Sequence, residues 1–304
     1  MVFSNARLIL QKASGWSAIK LLLLAAGRSR PGLKMIWTPL LWSYVRSGEI
    51  PITYTHSNRT FRVFLRLADQ DSDLHSILEV LIRQVYPLNP AYAADLVIDG
   101  GANIGLFSLQ AASVYPSAKL IACEPLPRNI VQLNKHLNRN HVTASVMPVC
   151  VGGAHGTIPF YCRGANASSF NASTPYDDVL SIEVLSLQEV VAASSAQRIL
   201  IKLDIEGMEI EALQSYVPTE QRSVIVLGEL HGHKHNRGKL ESLFAQHRSS
   251  FQLGDLSGDD AIFEARSPAA LRLLPNHNLQ ATSTTQPTSA PAPLNNSPSS
   301  APLA

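Results

Sequence analysis

The stretch Asp95-Leu96-Val97-Ile98-Asp99-Gly100-Gly101-Ala102-Asn103-Ile104-Gly105 (DLVIDGGANIG) decides the fold. Leu96–Ile98 is a short apolar run of the kind that forms a buried strand. It ends in an acid, two glycines and an asparagine. Gly and Asn tolerate the positive φ that a sharp strand-to-helix turn needs. Gly105 then opens a helix predicted to run to Tyr115. Side chains missing at Gly101 and Gly105 would let a ligand approach the backbone, and the helix start would offer free N–H groups to a polar or anionic group.

Outward from this loop the pattern repeats. Apolar strand runs are expected at Lys119–Cys123, Ser145–Val151, Arg198–Leu203 and Ser223–Leu227, with helices at Pro127–Arg139 and Met208–Tyr216 and a further short element in Glu183–Val190. Nearly all-apolar strands alternating with helices predict a doubly wound, mostly parallel α/β sheet, Rossmann-like and covered on both faces. Ligands of such sheets bind beyond the carboxyl ends of the strands. Before the sheet, Ile52–Thr55 and Phe61–Leu65 read as two strands around Ser57–Asn58, and 72–88 as an amphipathic helix. The expected division is a helical extension over 1–48, one domain over 49–266 and a Pro/Ser/Thr/Ala/Asn-rich disordered tail over 267–304.

Composition narrows the functional classes. Hydrophobic residues make up 45% of the 304-residue chain, charged residues 16%, and the net charge is +2. Lys and Arg are scattered rather than clustered, so no nucleic-acid partner is expected. Cys123, Cys150 and Cys162 form no C-x-x-C pair, and their odd number argues against a disulfide framework, consistent with a reducing, cytoplasmic setting. The apolar run around Leu21–Ala26 is too short to span a bilayer. A buried helix is the main expectation there. Peripheral membrane contact through Trp16, Leu21–Leu24, Arg28 and Arg30 is the alternative.

Three further segments carry chemistry. Glu124-Pro125 follows the second strand about twenty residues beyond the glycines, the offset at which an acid meets ribose hydroxyls in α/β nucleotide sites. The loop spacing from Gly101 is G-x-N-x-G, not the G-x-G-x-x-G of dinucleotide sites. Asp99 would repel a pyrophosphate but attract the cationic amino-acid end of S-adenosylmethionine. Lys202-Leu203-Asp204-Ile205-Glu206-Gly207-Met208-Glu209 places Asp204 at a strand end facing the ligand crevice. Lys202 shares its face and either holds the acid or touches substrate, Gly207 makes the turn, and Glu209 suits the positive end of a helix. Glu229-Leu230-His231 follows the fifth strand, with His231 or Asp204 as candidate base for an acceptor hydroxyl and Glu229 orienting His231. Alternating His and carboxylates also suit zinc or manganese, but no spacing here is diagnostic and no metal is expected. His233 and His235 read as part of a polar loop.

These residues resemble those of FkbM-type methyltransferases of the class I fold. The matching stretches are VIDGGANIG (Val97–Gly105), ACEPLPRNIVQLNKHL (Ala122–Leu137), IEVLSLQEV (Ile182–Val190), IKLDIEGMEIEAL (Ile201–Leu213) and VIVLGELHG (Val224–Gly232). The resemblance implies S-adenosylmethionine as cofactor, with contacts from Asp99, Gly101, Asn103 and Glu124 and neighbouring Gly100, Gly105 and Pro125. It implies Asp204 near the transferred methyl. It further implies O-methylation of a sugar, glycan or secondary metabolite. The alternatives are an NAD-dependent oxidoreductase on a similar sheet and a non-catalytic homologue acting as a binding module.

Overall fold

The computed structural model describes residues 2–13, 15, 17–22, 48–163, 167–169, 178–216, 221–255 and 260–274. In chain order the elements are α1 (Val2–Lys12), β1 (Glu49–His56), β2 (Arg59–Arg66) and α2 (Gln70–Ser76), which continues as a π-helical segment over Ile77–Arg83. The alternating part follows: β3 (Leu96–Gly100), α3 (Leu106–Val114), β4 (Lys119–Cys123), α4 (Pro127–Arg139), β5 (Ser145–Met147), β6 (Cys150–Gly152), β7 (Gly156–Arg163), β8 (Ala167–Ser169), β9 (Asp178–Ser186) and α5 (Leu187–Ala192). The last part is β10 (Arg198–Leu203), α6 (Glu209–Ser215), β11 (Ser223–Leu230), α7 (His233–Gln246), β12 (Ser250–Asp255), β13 (Ala261–Arg266) and α8 (Pro268–Leu273).

The main sheet has seven strands in the order β12-β13-β11-β10-β3-β4-β5. All pairs from β11 to β5 are parallel, and β13 joins β11 antiparallel. Strand order therefore reverses between β3 and β10, and a crevice opens there at the strands' carboxyl ends. The doubly wound fold expected from the sequence is the fold observed.

Details differ from expectation for identifiable reasons. The single strand expected over Ser145–Val151 is two strands. β5 stays in the main sheet, and β6 belongs to a separate four-stranded sheet of order β6-β9-β7-β8. Pro148, which has no N–H to donate, lies in the break. Glu183–Val190 spans the end of β9 and the start of α5, joined by a reciprocal cap between Ser186 and Glu189. The polar loop expected at His233 and His235 is the first turn of α7, a helix whose sequence hides it because only Leu240 and Phe244 turn into the core. The tail boundary expected at 267 falls too early. The Ser267 hydroxyl caps α8, accepting from Ala270 N–H and from Val224 N–H of β11. The rest of the expected tail, 275–304, lies outside the described residues.

The hairpin forms as expected, with Ser57 and Asn58 both at positive φ (46° and 63°), the turn that matches strand twist. Near the N-terminus, Ile9, Ala13, Ala18 and Leu21 are buried in the core. Trp16, Leu23, Leu24, Arg28 and Arg30 lie outside the described residues. No described helix is long and apolar enough to cross a membrane.

His136 on α4 pins the hairpin to the glycine loop. Its Nε2 accepts from Phe64 N–H at 2.9 Å and its Nδ1 donates to Ile104 O at 2.7 Å. Burial pulls its pKa down to about 4, and this outweighs the two backbone hydrogen bonds. The folded value thus lies below the unfolded value near 6.5, so the unfolded chain gains a proton first as pH falls. Stability from this residue should be complete above about pH 6.5 and decline through pH 4 by up to about 3 kcal/mol. Urea denaturation of the wild type and His136→Gln across that range checks it: the wild type's loss on acidification should be the larger, and parallel losses refute the assignment.

Candidate active site

The glycine loop lies where β3 ends in the crevice. Gly101, Asn103 and Gly105 all have positive φ (72°, 49° and 82°). The glycines are required by the protein itself. A Cβ on Gly101 would stand 1.9 Å from the Asp204 carbonyl oxygen, and one on Gly105 would stand 2.3 Å from a Leu133 methyl. This corrects the expectation that both were cleared for a ligand, since close packing of β10's end and α4 already demands them. Nor are the loop amides free. Gly101 and Ala102 N–H donate to Cys123 O, Asn103 N–H to Glu124, and Gly105 N–H to Ala102 O. Gly100 is buried within β3, where a Cβ would press on Lys202 O and Leu203. What remains open is the start of α3, which has no side-chain cap.

Asp99 is 0% exposed and lines neither of the two cavities that meet at this loop. One carboxylate oxygen accepts from the Ser108 hydroxyl at 2.6 Å, and the other faces Lys202 Nζ at 3.4 Å. The direct ligand contact expected of Asp99 is therefore replaced by an internal one. Lys202 resolves its own ambiguity in the same way. Its buried ammonium donates to Gly100 O (3.2 Å) and Gly101 O (2.6 Å) and stands 3.7 Å from Asp204. Burial alone would lower its pKa, but the charges of Asp99 and Asp204 raise it, and Lys202 stays cationic.

Two cavities meet at this loop and share Ser72, Gly101, Asn103, Asp204 and Glu206. The first encloses about 730 Å³, part of it open to solvent, and is walled by Glu124, Pro125, Leu126, Val149, Cys150 and Phe160. Glu124 is buried and already accepts three hydrogen bonds, from Asn103 N–H, Leu126 N–H and Asn129 Nδ2. Burial nevertheless raises its pKa, the hydrogen bonds opposing.

The second cavity, about 1020 Å³ and likewise part open, holds Lys202, Glu229, His231 and several residues that sequence reasoning missed. Tyr86, at the end of the lead-in segment, donates its hydroxyl to Asp204 at 3.0 Å. Glu79 and Asp260 add carboxylates from the lead-in segment and from just before β13. Glu209, read as a helix-end acid, is 1% exposed. One of its oxygens accepts from Ile205 N–H, Gly207 N–H and His231 Nδ1 (3.0 Å). Glu209, not Glu229, orients His231. Glu229 lies on the other side of the ring, 3.9 Å from Nε2. Burial lowers the His231 pKa, but the hydrogen bond and charge of Glu209, with Asp204 and Glu206, push it up to about 10. At neutral pH His231 is an imidazolium and cannot itself take a proton. Glu229 is raised by burial and by Asp204. One ligand-type atom each from Asp204, Glu229 and His231 all lie within 4.8 Å of one another.

A family model described as the methyltransferase FkbM domain matches residues 99–256, more than half of the 304-residue chain. The chain belongs to the FkbM methyltransferase family. The dinucleotide alternative falls with this match. Among curated proteins, the chain is similar to methyltransferase sdnD of Sordaria araneosa, 39% identical over 75 residues that cover 24% of this chain and 27% of that protein. It is also similar to methyltransferase 1 of Beauveria bassiana (strain ARSEF 2860), 23% identical over 159 residues that cover 45% of this chain and 64% of that protein. The chain thus spans less than two thirds of the length of either relative. Among solved structures it is similar to methyltransferase FkbM from Methylobacillus flagellatus KT, with TM-score 0.41 and 15% identity over 66% of this chain and 53% of that one. A 16S rRNA methyltransferase of T. thermophilus in complex with AdoMet and guanosine gives TM-score 0.40 and 13% identity over 72% of this chain and 50% of that one.

S-adenosylmethionine is the cofactor that membership of the FkbM methyltransferase family implies. The first cavity fits it. An apolar wall of Leu126, Val149, Cys150 and Phe160 suits a flat base. A carboxylate has about four lone-pair sites, so Glu124 keeps one for a ribose hydroxyl beyond its three internal bonds.

Two outcomes are expected. Gly101→Ala should abolish S-adenosylhomocysteine binding in calorimetry while far-UV dichroism stays native, because the new methyl displaces the Asp204 backbone. Retained affinity would mean the loop does not shape the site. Glu209→Gln should move the His231 titration, followed by NMR, from about 10 down toward the unperturbed value. An unmoved titration would remove Glu209 as the orienting group.

Proposed function

We propose that this methyltransferase O-methylates a hydroxyl of a sugar, glycan or secondary metabolite, with the acceptor in the second cavity. The observation that carries this reading is the lining of that cavity. Ser72, His75, Ser76, Tyr86, Glu229 and Asp260 offer mainly hydrogen-bonding side chains around Asp204, at the boundary with the cofactor cavity. Such a lining suits a polyhydroxylated acceptor better than an apolar one.

Bound S-adenosylmethionine supplies an electrophilic methyl on a good leaving group, so the protein's main task is to position the reactants. Glu124 and Asn103 hold the cofactor's polar groups, with Pro125 and Leu126 beside them. Asp99 and Lys202 act as positioning residues that fix the loop and Asp204. An alcohol acceptor must also lose a proton. Asp204 and Glu229 accept it as an interacting pair, and the imidazolium of His231 balances their charge. Of the two candidate bases read from the sequence, this keeps Asp204 and puts Glu229 in place of His231.

The reading is tested with glycans and metabolites from cells with and without the gene. Acceptor molecules in the deletion strain should be lighter by one CH₂, about 14 mass units. Restoring wild type should recover the methylated species, and Glu124→Gln should restore less of it at limiting cofactor. If no species loses a methyl while S-adenosylhomocysteine binds tightly, the chain is a binding module. A methyl lost from nitrogen or carbon refutes O-methylation.

A further inference from the structure

We propose that the acceptor cavity holds a divalent cation of the Mn²⁺ type between Asp204, Glu229 and His231. The inference deepens the acceptor reading given above and leaves the cofactor cavity untouched.

The spacing of the three side chains is the first observation. Their ligand-type atoms lie within 4.8 Å of one another, and His231 Nε2 stands 3.9 Å from Glu229 Oε1. That is too long for a hydrogen bond. It is close to the separation of about 3–4 Å that two ligand atoms keep around a shared ion at bonds of about 2.1 Å.

The second observation lies outside the trio. Glu209, almost wholly buried, takes His231 Nδ1 and thereby leaves Nε2 facing Glu206 (3.8 Å) and Glu229 (3.9 Å) in the cavity that also holds Asp204. Its accepting oxygen is fixed by Ile205 N–H and Gly207 N–H. A carboxylate that holds one ring nitrogen and presents the other is the recurrent support of metal-binding histidines.

Glu229 supplies the third. Among the described residues its side chain makes no hydrogen bond, and its one ion-pair partner is His231. A largely buried carboxylate without a donor, next to a second carboxylate, calls for a positive charge. Lys202 does not supply it to Glu229, since its ammonium is turned to the Gly100 and Gly101 carbonyls. Without an ion the His231 imidazolium is the charge that faces Glu229. An ion here would take the place of the Nε2 proton, which leaves to solvent, so that His231 ligates as the neutral ring.

Two carboxylates and one imidazole form a mixed oxygen and nitrogen set. Calcium prefers six to eight oxygens, whereas manganese accepts this mixture and leaves positions open. Those positions would face the cavity, where an acceptor hydroxyl and water complete the shell. Each carboxylate keeps a second oxygen for the acceptor's proton.

The test uses chelator-treated full-length protein titrated with MnCl₂, following loss of the free-ion signal by electron paramagnetic resonance. Calorimetry with S-adenosylhomocysteine runs in parallel. Wild type should bind one Mn²⁺ per chain. Glu229→Gln should weaken it by at least about tenfold, and Glu209→Gln by about tenfold or more through the orienting bond, with S-adenosylhomocysteine affinity unchanged in both. No saturable Mn²⁺ binding by wild type, or equal affinity in wild type and Glu229→Gln, overturns the proposal. Should Glu209→Gln unfold, Glu229→Gln alone decides, since Glu229 has no hydrogen bond to lose. Failure of wild type to bind S-adenosylhomocysteine would instead refute the cofactor cavity, and the manganese result would still be read.

Discussion

The buried ammonium of Lys202 is the contact on which the site depends. It lies at the reversal of the sheet, where β3 and β10 run parallel and the crevice opens. From β10 it reaches the carbonyls of Gly100 and Gly101 on β3's end, with Asp99 and Asp204 close on either side. A lone buried ammonium would be costly, and so would the wholly buried Asp99. Together they are neutral, Asp99 also accepts from Ser108 and Lys202 donates to the two carbonyls, and the loop is held against Asp204 so tightly that only glycine fits at 101. One interaction thereby sets both the loop that shapes the first cavity and the carboxylate, Asp204, that lines both cavities.

Around this centre the two cavities have different characters. The cofactor side is built on rigid, mostly satisfied groups. Glu124 is tied to three donors, and its neighbours are apolar. The second cavity gathers carboxylates from separate parts of the chain: Glu79 from the lead-in segment, Asp204 from just after β10, Glu229 from β11 and Asp260 from just before β13. Burial, and then the charge of Asp204, raise the proton affinity of Glu229, while Glu209, with Asp204 and Glu206, keeps His231 charged against its burial.

The sheet was largely legible because strand and helix periods are local. Leu96–Gly100, Lys119–Cys123 and Arg198–Leu203 are apolar runs that no other element would use, and the glycine turn follows from φ at 101, 103 and 105. The split of β5 from β6, the second sheet and the antiparallel β12 and β13 were not legible, because pairing joins residues far apart along the chain. Helix α7 was missed since its inward face carries only two buried residues.

The sequence by itself determined the family, the parallel sheet and the identity of the polar residues at the strand ends, because each is carried by short motifs whose meaning is local. Tertiary structure alone decided what those residues face. Asp99 and Lys202 turn inward to each other, Glu209 leaves its helix-end role to hold His231, and Tyr86 arrives from far upstream to bind Asp204. Burial and charge at a given atom depend on neighbours brought together by folding, so the direction of a side chain and its proton affinity become defined only once the crevice exists.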